Sequence, residues 1–510
     1  MMLRPIITSL FVTCLAAQEE AADHLRFTNG DQLQGHFAGI DANGKISWER
    51  PDIAKPIELQ REKVRQIVLR GARALSPMSD PCHVTLINGD RIPGKVVAAD
   101  ENEFTLETTA AGVLTLPRDT VASIAPNPFG GRLLYAGPFD EKGWNIVRAE
   151  SAGADGDDPF AGNLPGLPRK KKEKIDPDAP SWAHAGTAWY SRSGMDAITY
   201  DAGMPDRSIL RFRLGWRSRP SISVAFHADL DKPAPAEKEE AEDHRGSFGG
   251  PAHFARLFGS AYVLGFNPGY VRLQRTWFDE EGNPKISQVR VGSTTIRLPD
   301  TGEALFEIRC DRKEGSVAVY IDGEFALQWS TAGGDNEDNE DGAKGNAYMA
   351  PGGAFGFHVQ GGSSQVRISD IVVAEWNGMT DSARSMESET QDIVLLTNGT
   401  DRFSGNIRGI EDGKVEIDSK YAGLKVPLAE VAEIHFARTG RRKLDESPAS
   451  EVTVHLQPVG RISGSPILAA DGRILLENRL AGQVDLDLAP AVVLEFQSAG
   501  GFLDEWDDDL

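Results

Sequence analysis

The chain contains one small unit written four times, and that repetition limits the fold more than any other feature. The copies read HLRFTNGDQLQGHFAGIDANGKISW from His24, HVTLINGDRIPGKVVAADENEFTLE from His83, IVLLTNGTDRFSGNIRGIEDGKVEI from Ile393 and VTVHLQPVGRISGSPILAADGRILL from Val452. Gly35 and Gly94 lie 59 residues apart, as do Gly405 and Gly464, so the copies form two tandem pairs in sequence. Asn29-Gly30, Asn88-Gly89 and Asn398-Gly399 suit the positive φ of tight hairpins. The copies also end alike: Pro117, Val121 and Ile124 match Pro427, Val431 and Ile434. Leu59, Val64 and Ile67 close the first copy, and Asp487, Ala491, Leu494 and Phe496 the fourth. Alternating strands of about five residues bury one face each. Five of them make a very small barrel, so the barrels are expected to pack in pairs.

The pattern apolar-x-Asn-Gly-x-x-apolar-x-Gly, followed by an Asp turn, resembles the SH3-like and Sm-like small barrels. The Sm family binds RNA, but its second signature, an Arg-Gly loop, is absent here. The formal net charge is −22, and so acidic a surface repels phosphate backbones; no nucleic-acid partner is expected. The expected units are barrels over 23–71, 82–128, 391–438 and 451–498.

Between the pairs, residues 135–378 read differently. SILRFRLGW from Ser208, SISVAFH from Ser221, YVRLQRTWF from Tyr270 and ALFEIRCDRKEGSVAVYIDGEFALQW from Ala304 are strands and hairpins. The fold class is therefore all-β: a central jelly-roll sandwich flanked by two pairs of SH3-like or Sm-like barrels. The strand from Glu307 to Asp311, the VAVYIDGE hairpin and the GGAFGFHVQGGSSQVRISDIVV close resemble the concanavalin A-like group, including laminin G-like and 3-keto-disaccharide hydrolase-type domains. That resemblance implies glycan recognition, with glycan cleavage in some members. The glucanase signature Glu-x-Asp-x-x-Glu is absent. Three interruptions, 152–180, 229–250 and 333–345, have loop compositions.

Candidate sites follow from the alternation. Arg211 and Arg213 oppose Leu210, Phe212, Leu214 and Trp216; Tyr270, Arg272 and Gln274 oppose Val271 and Leu273; His227 opposes Val224 and Phe226. If these strands are neighbours, one face carries Arg, Gln, His and Tyr, the planar polar and aromatic groups that sugars bind. The bland alternative is a solvated strand face. Asp335, Glu337, Asp338 and Asp341 offer the oxygens that Ca²⁺ takes, without EF-hand spacing; a charged loop is the competing reading. Asp279, Glu280 and Glu281 read as a hairpin tip before Gly282-Asn283-Pro284, with acid/base work on a glycosidic bond the alternative. No catalytic residue can be named, and no other cofactor is expected.

Residues 1–17 read as a secretory signal peptide: Arg4, then an apolar run from Ile6 to Ala17 too short to span a bilayer. Cys14 lacks the context of a lipidation site, and no later stretch reads as a transmembrane helix. Cys82 and Cys310 read as buried thiols, with a bridge between them in an oxidising compartment the alternative. Residues 499–510 form an acidic tail, and Lys170–Lys172 a basic loop tip. The expectation is an exported, non-catalytic protein whose sandwich binds a glycan or envelope polysaccharide. The barrels serve as spacers or protein contacts. The alternatives are a glycoside-processing enzyme of the 3-keto-disaccharide hydrolase type and a structural scaffold.

Overall fold

The computed structural model describes residues 22–29, 31–69, 82–128, 131–148, 181–191, 196–217, 220–233, 251–267, 270–289, 296, 298–330, 348, 350–359, 365–378, 388–398, 401–444 and 451–496. The signal-peptide segment, the acidic tail, the Lys170–Lys172 run and the proposed Ca²⁺ residues Asp335, Glu337, Asp338 and Asp341 lie outside them. The described chain is nearly all β. None of its helices is long and apolar enough to cross a membrane.

The centre is a two-sheet sandwich. Its eight-stranded sheet runs Trp182–Ala185, Ala188–Ser191, Val366–Glu375, Arg207–Trp216, Gly302–Asp311, Ser316–Ile321 and Glu324–Ser330, with Leu133–Gly137 also pairing to Val366–Glu375. The seven-stranded sheet runs Trp144–Val147, Ala197–Asp201, Ala354–Val359, Ile222–Ala228, Ala261–Asn267, Tyr270–Phe278 and Pro284–Val289. Alternation decides what lies between them. Leu210, Phe212, Leu214 and Trp216 point inward, as their sequence pattern requires, and meet Phe266 and Phe357 of the facing sheet. Phe212 stacks on Phe306 at 5.5 Å and meets Phe357 edge-on at 5.0 Å.

Each copy of the repeat forms five antiparallel strand segments, the second strand of copy two being split at Gly94. In copy one the first strand pairs with the second and the fifth, and the third with the second and the fourth. The repeated glycine now has a physical reason. A Cβ on Gly35, Gly94, Gly405 or Gly464 would stand 2.4, 2.5, 2.4 or 2.9 Å from the backbone carbonyl oxygen of Glu49, Glu107, Asp418 or Glu477. Only glycine lets the two strands approach that closely.

The copies do not remain beside their sequence neighbours. The fifth strand of copy one pairs with the fifth of copy four, Leu494 opposite Ile67. The fifth strand of copy two pairs with that of copy three, Ile124 opposite Ile434. A second contact repeats in both pairs: Ile40 opposes Ala469, and Ile410 opposes Ala99. Copies two and four meet at equivalent positions, Arg91 opposite Arg461. The two halves of the assembly are thus related by an approximate twofold passing between these arginines. One continuous apolar core runs through all four copies, including Leu25, Val84, Val394 and Val454. The segments before and after the sandwich interlock into one platform.

That platform covers the outer face of the eight-stranded sheet. Asp370 sits in a bulge of the Val366–Glu375 strand at φ 48°, which turns its carboxylate out of the sheet toward the platform. Gly186, in the turn between Trp182–Ala185 and Ala188–Ser191, abuts the Gln66 side chain of copy one.

Candidate functional site

The six residues expected on one face are divided between two sheets. Arg211 and Arg213 belong to the eight-stranded sheet, whereas His227, Tyr270, Arg272 and Gln274 belong to the seven-stranded sheet. Arg207–Trp216 and Tyr270–Phe278 are therefore not neighbours within a sheet, and the condition for one shared surface is not met.

Arg211 and Arg213 do point away from the core, but toward the platform. Arg213 donates from Nε to Asp370 Oδ2 at 3.2 Å and from a terminal nitrogen to Glu303 Oε1 at 3.0 Å. Arg91 of copy two approaches Asp370 from the other side at 3.7 Å. Burial pushes the Asp370 carboxyl up, but Arg91, Arg213, His455 and Arg461 together hold it well below the usual carboxylate range. Nearby, His455 meets Glu495 and His435 meets Glu433, each at 2.9 Å. Burial opposes ionisation of Glu495 too, yet His455, Arg367 and Arg461 bring it down to about 2. Glu433 is held low against burial by His435, His83 and Arg211. This seam is an ion network joining two parts of the protein.

His227 is also displaced from its expected face. A register shift between Ala225 and Ala228 and a φ of 50° at His227 turn the imidazole into the core. It lies 3.1 Å from Ser208 Oγ at one nitrogen and 2.5 Å from the Tyr348 hydroxyl at the other. The Ser-His-Tyr order resembles a nucleophile and its base, but Ser208 and His227 are both 0% exposed. Burial, with Arg312 nearby, lowers the imidazole to about 3, and burial pushes the adjoining Cys310 thiol up to about 12. Such a cluster neither reaches a substrate nor holds an active base or thiolate. Cys310 and Cys82 are both buried free thiols.

The remaining polar surface is the outer face of the seven-stranded sheet. The Pro251–Phe258 helix covers part of it, packing Phe254, Leu257 and Phe258 on Ala197, Ala225, Val263 and Ala354. Beside the helix one register line crosses four strands: His358 opposite Ser223, Ser223 opposite Gly265, Gly265 opposite Arg272. The absence of a side chain at Gly265 has a use. Its Cβ position lies 3.4 Å from both Cγ and Nε of Arg272, so the arginine lies across the glycine. Arg272 Nε is buried with no hydrogen-bond partner in the protein. Gln274 stands on the same face, opposite Val263. Tyr270 opens this strand, and its side chain lies outside the described residues.

The helix adds a residue that sequence reasoning missed. His253 Nε2 lies 3.0 Å from His358 Nε2, and His358 Nδ1 lies 3.3 Å from the Asp196 carbonyl oxygen. Burial lowers the His253 pKa. Neither histidine had a spacing signal, because one lies in a short helix and the other 105 residues later in a strand. Among the described residues, no group of three or more His, Cys, Asp or Glu converges on a metal position. Asp279, the first acid of the WFDEEGNP turn, caps its own hairpin: Asn283 N donates to it at 2.7 Å, and Lys285 pairs with it at 3.3 Å.

No family model and no curated protein sequence matches the chain. Solved structures do align with it. A carbohydrate-binding module, CBM66, from Bacillus subtilis aligns at 9% identity over 46% of this chain and 96% of its own, with a TM-score of 0.25. A Bacillus subtilis protein of unknown function with a galectin-like fold aligns at 13% identity over 48% of this chain and 96% of its own, also at 0.25. The globular domain of T. cruzi calreticulin aligns at 11% identity over 50% of this chain and 90% of its own, at 0.26.

Proposed function

We propose that this is an exported, non-catalytic glycan-binding protein whose ligand lies on the outer face of the seven-stranded sheet, along the line from His358 through Ser223 and Gly265 to Arg272. The observation that carries this reading is Arg272, whose buried Nε lacks a partner while its side chain crosses a glycine floor. A sugar hydroxyl would accept from that nitrogen, and Gln274 offers a second planar amide on the same face. The His, Ser, Arg and Gln set donates and accepts hydrogen bonds without presenting a carboxylate pair among its members, which favours binding over a glycoside-processing enzyme. The four repeats are small barrels of the SH3-like or Sm-like kind, and they act as a rigid mount rather than as spacers. The export reading rests on the N-terminal apolar run. A glycan array probed with the full chain tests the proposal. Binding that falls at least about tenfold in both Arg272→Ala and Gln274→Ala is expected. Equal binding by the parent and both variants would overturn it.

A further inference from the structure

We infer that His253 and His358 form a binding site for a divalent transition-metal ion on the outer face of the seven-stranded sheet. The geometry fits such an ion in three respects. The two Nε2 atoms are 3.0 Å apart. With metal–nitrogen bonds of about 2.1 Å, that separation corresponds to a nitrogen–metal–nitrogen angle of about 90°, a cis pair in an octahedral set. Next, the Asp196 carbonyl oxygen can only accept, so His358 carries its proton on Nδ1, and its Nε2, on the side of His253, is the nitrogen with the lone pair. A carbonyl that fixes the tautomer and orientation of an imidazole is the usual support of a ligating histidine. Finally, the pair is built on rigid elements. His358 is fully buried within a paired strand, and His253 stands on a helix whose Phe254, Leu257 and Phe258 are anchored in the sheet.

Two imidazoles favour a borderline ion such as Ni²⁺, Co²⁺ or Zn²⁺ over Ca²⁺, which takes oxygen ligands. With two protein nitrogens, the remaining coordination positions are taken by water or by ligand oxygens, and vicinal hydroxyls of a sugar are a matching bidentate donor. This last step deepens the glycan reading, but the ion site stands without it.

The test is a titration of the metal-free full-length protein with CoCl₂, followed by visible absorbance and calorimetry, with CaCl₂ in parallel. The expected result is one Co²⁺ site that His253→Ala weakens at least about tenfold and that His358→Gln weakens similarly. Because His358 is buried, the His253→Ala variant, on the helix surface, carries the test if His358→Gln fails to fold. Circular dichroism of His253→Ala is expected to match the parent. Absence of a Co²⁺ site in the parent, or a Co²⁺ affinity unchanged in His253→Ala, would overturn the inference. No glycan is present in this experiment, so a failed glycan array leaves its outcome intact, and the reverse also holds.

Discussion

Arg91 of the second repeat and Arg213 of the sandwich grip the same carboxylate, Asp370, from opposite sides at 3.7 and 3.2 Å. Arg91 is one of the two arginines that face each other across the approximate twofold of the platform. The sandwich therefore plugs this outward-turned aspartate into the place where like charges of the platform gather.

Replacing that plug is expected to be costly. Asp370→Asn leaves Arg91, Arg213 and Arg461 mutually repelling with their shared counter-charge gone. Removing one partner of a fully buried pair costs about 3–5 kcal/mol, and partial solvent exposure of Asp370 reduces the expectation to about 2 kcal/mol. Urea unfolding measures it, and a midpoint unchanged from the parent would contradict the plug.

The repeat glycines separate two kinds of constraint. Gly405→Ala places a methyl 2.4 Å from the Asp418 carbonyl oxygen, and is expected to cost more than about 3 kcal/mol. Gly472 has a φ of 75° with nothing within 4 Å of its Cβ position, so Gly472→Ala carries only the left-handed backbone cost of about 1 kcal/mol. Thermal melting of both variants checks the order; the reverse order would refute the close-approach argument.

Stability is expected to fall with acid before the carboxylates titrate. The His227 pKa is about 3 in the folded protein against an ordinary value of 6.5, so the unfolded chain binds the proton first. Its contribution is complete above pH 6.5 and is lost as pH falls from there toward 3, with a limiting slope of about 1.4 kcal/mol per pH unit. His253 is shifted in the same direction. Denaturant titrations at pH 7, 6 and 5 are expected to show a slope that His227→Gln reduces. Glu495, held near 2, adds its loss as pH falls from the ordinary 4.5 toward 2.

The two arginine sets are expected to behave differently. Arg272→Ala lowers glycan binding with little change in melting temperature, whereas Arg213→Ala lowers the melting temperature and leaves binding by the folded protein unchanged. Arg213 lies in the seam with Glu303 and Asp370, and Arg272 on the opposite sheet. Parallel melting and binding curves for the two variants decide it.

Much of this fold was legible from local pattern. The inward set Leu210, Phe212, Leu214 and Trp216 and the outward Arg211 and Arg213 follow from period-two alternation alone. What alternation cannot tell is which outward face meets solvent, because that depends on a platform assembled from both ends of the chain. It also fails at His227, where a bulge with positive φ reverses the direction of one side chain. The 59-residue step of the glycines marked the duplication, but not the exchange of partners between the tandem pairs. The His253–His358 pair left no trace in sequence, since a helix lying on a sheet joins residues by tertiary packing.

The exchanged pairing also sets an order of events for the chain as it is made. The edge from Gln66 to Val68 is completed by Val493–Glu495, and the edge at Ser123 and Ile124 by Ile434 and His435. An open strand edge is a template for pairing with the wrong chain, and distant contacts form late. The first two repeats must therefore leave the ribosome with their edges unsatisfied and wait for the last two. A chain cut short after the sandwich would carry both edges permanently open, so aggregation, rather than a stable shortened protein, is the natural fate of its truncated products.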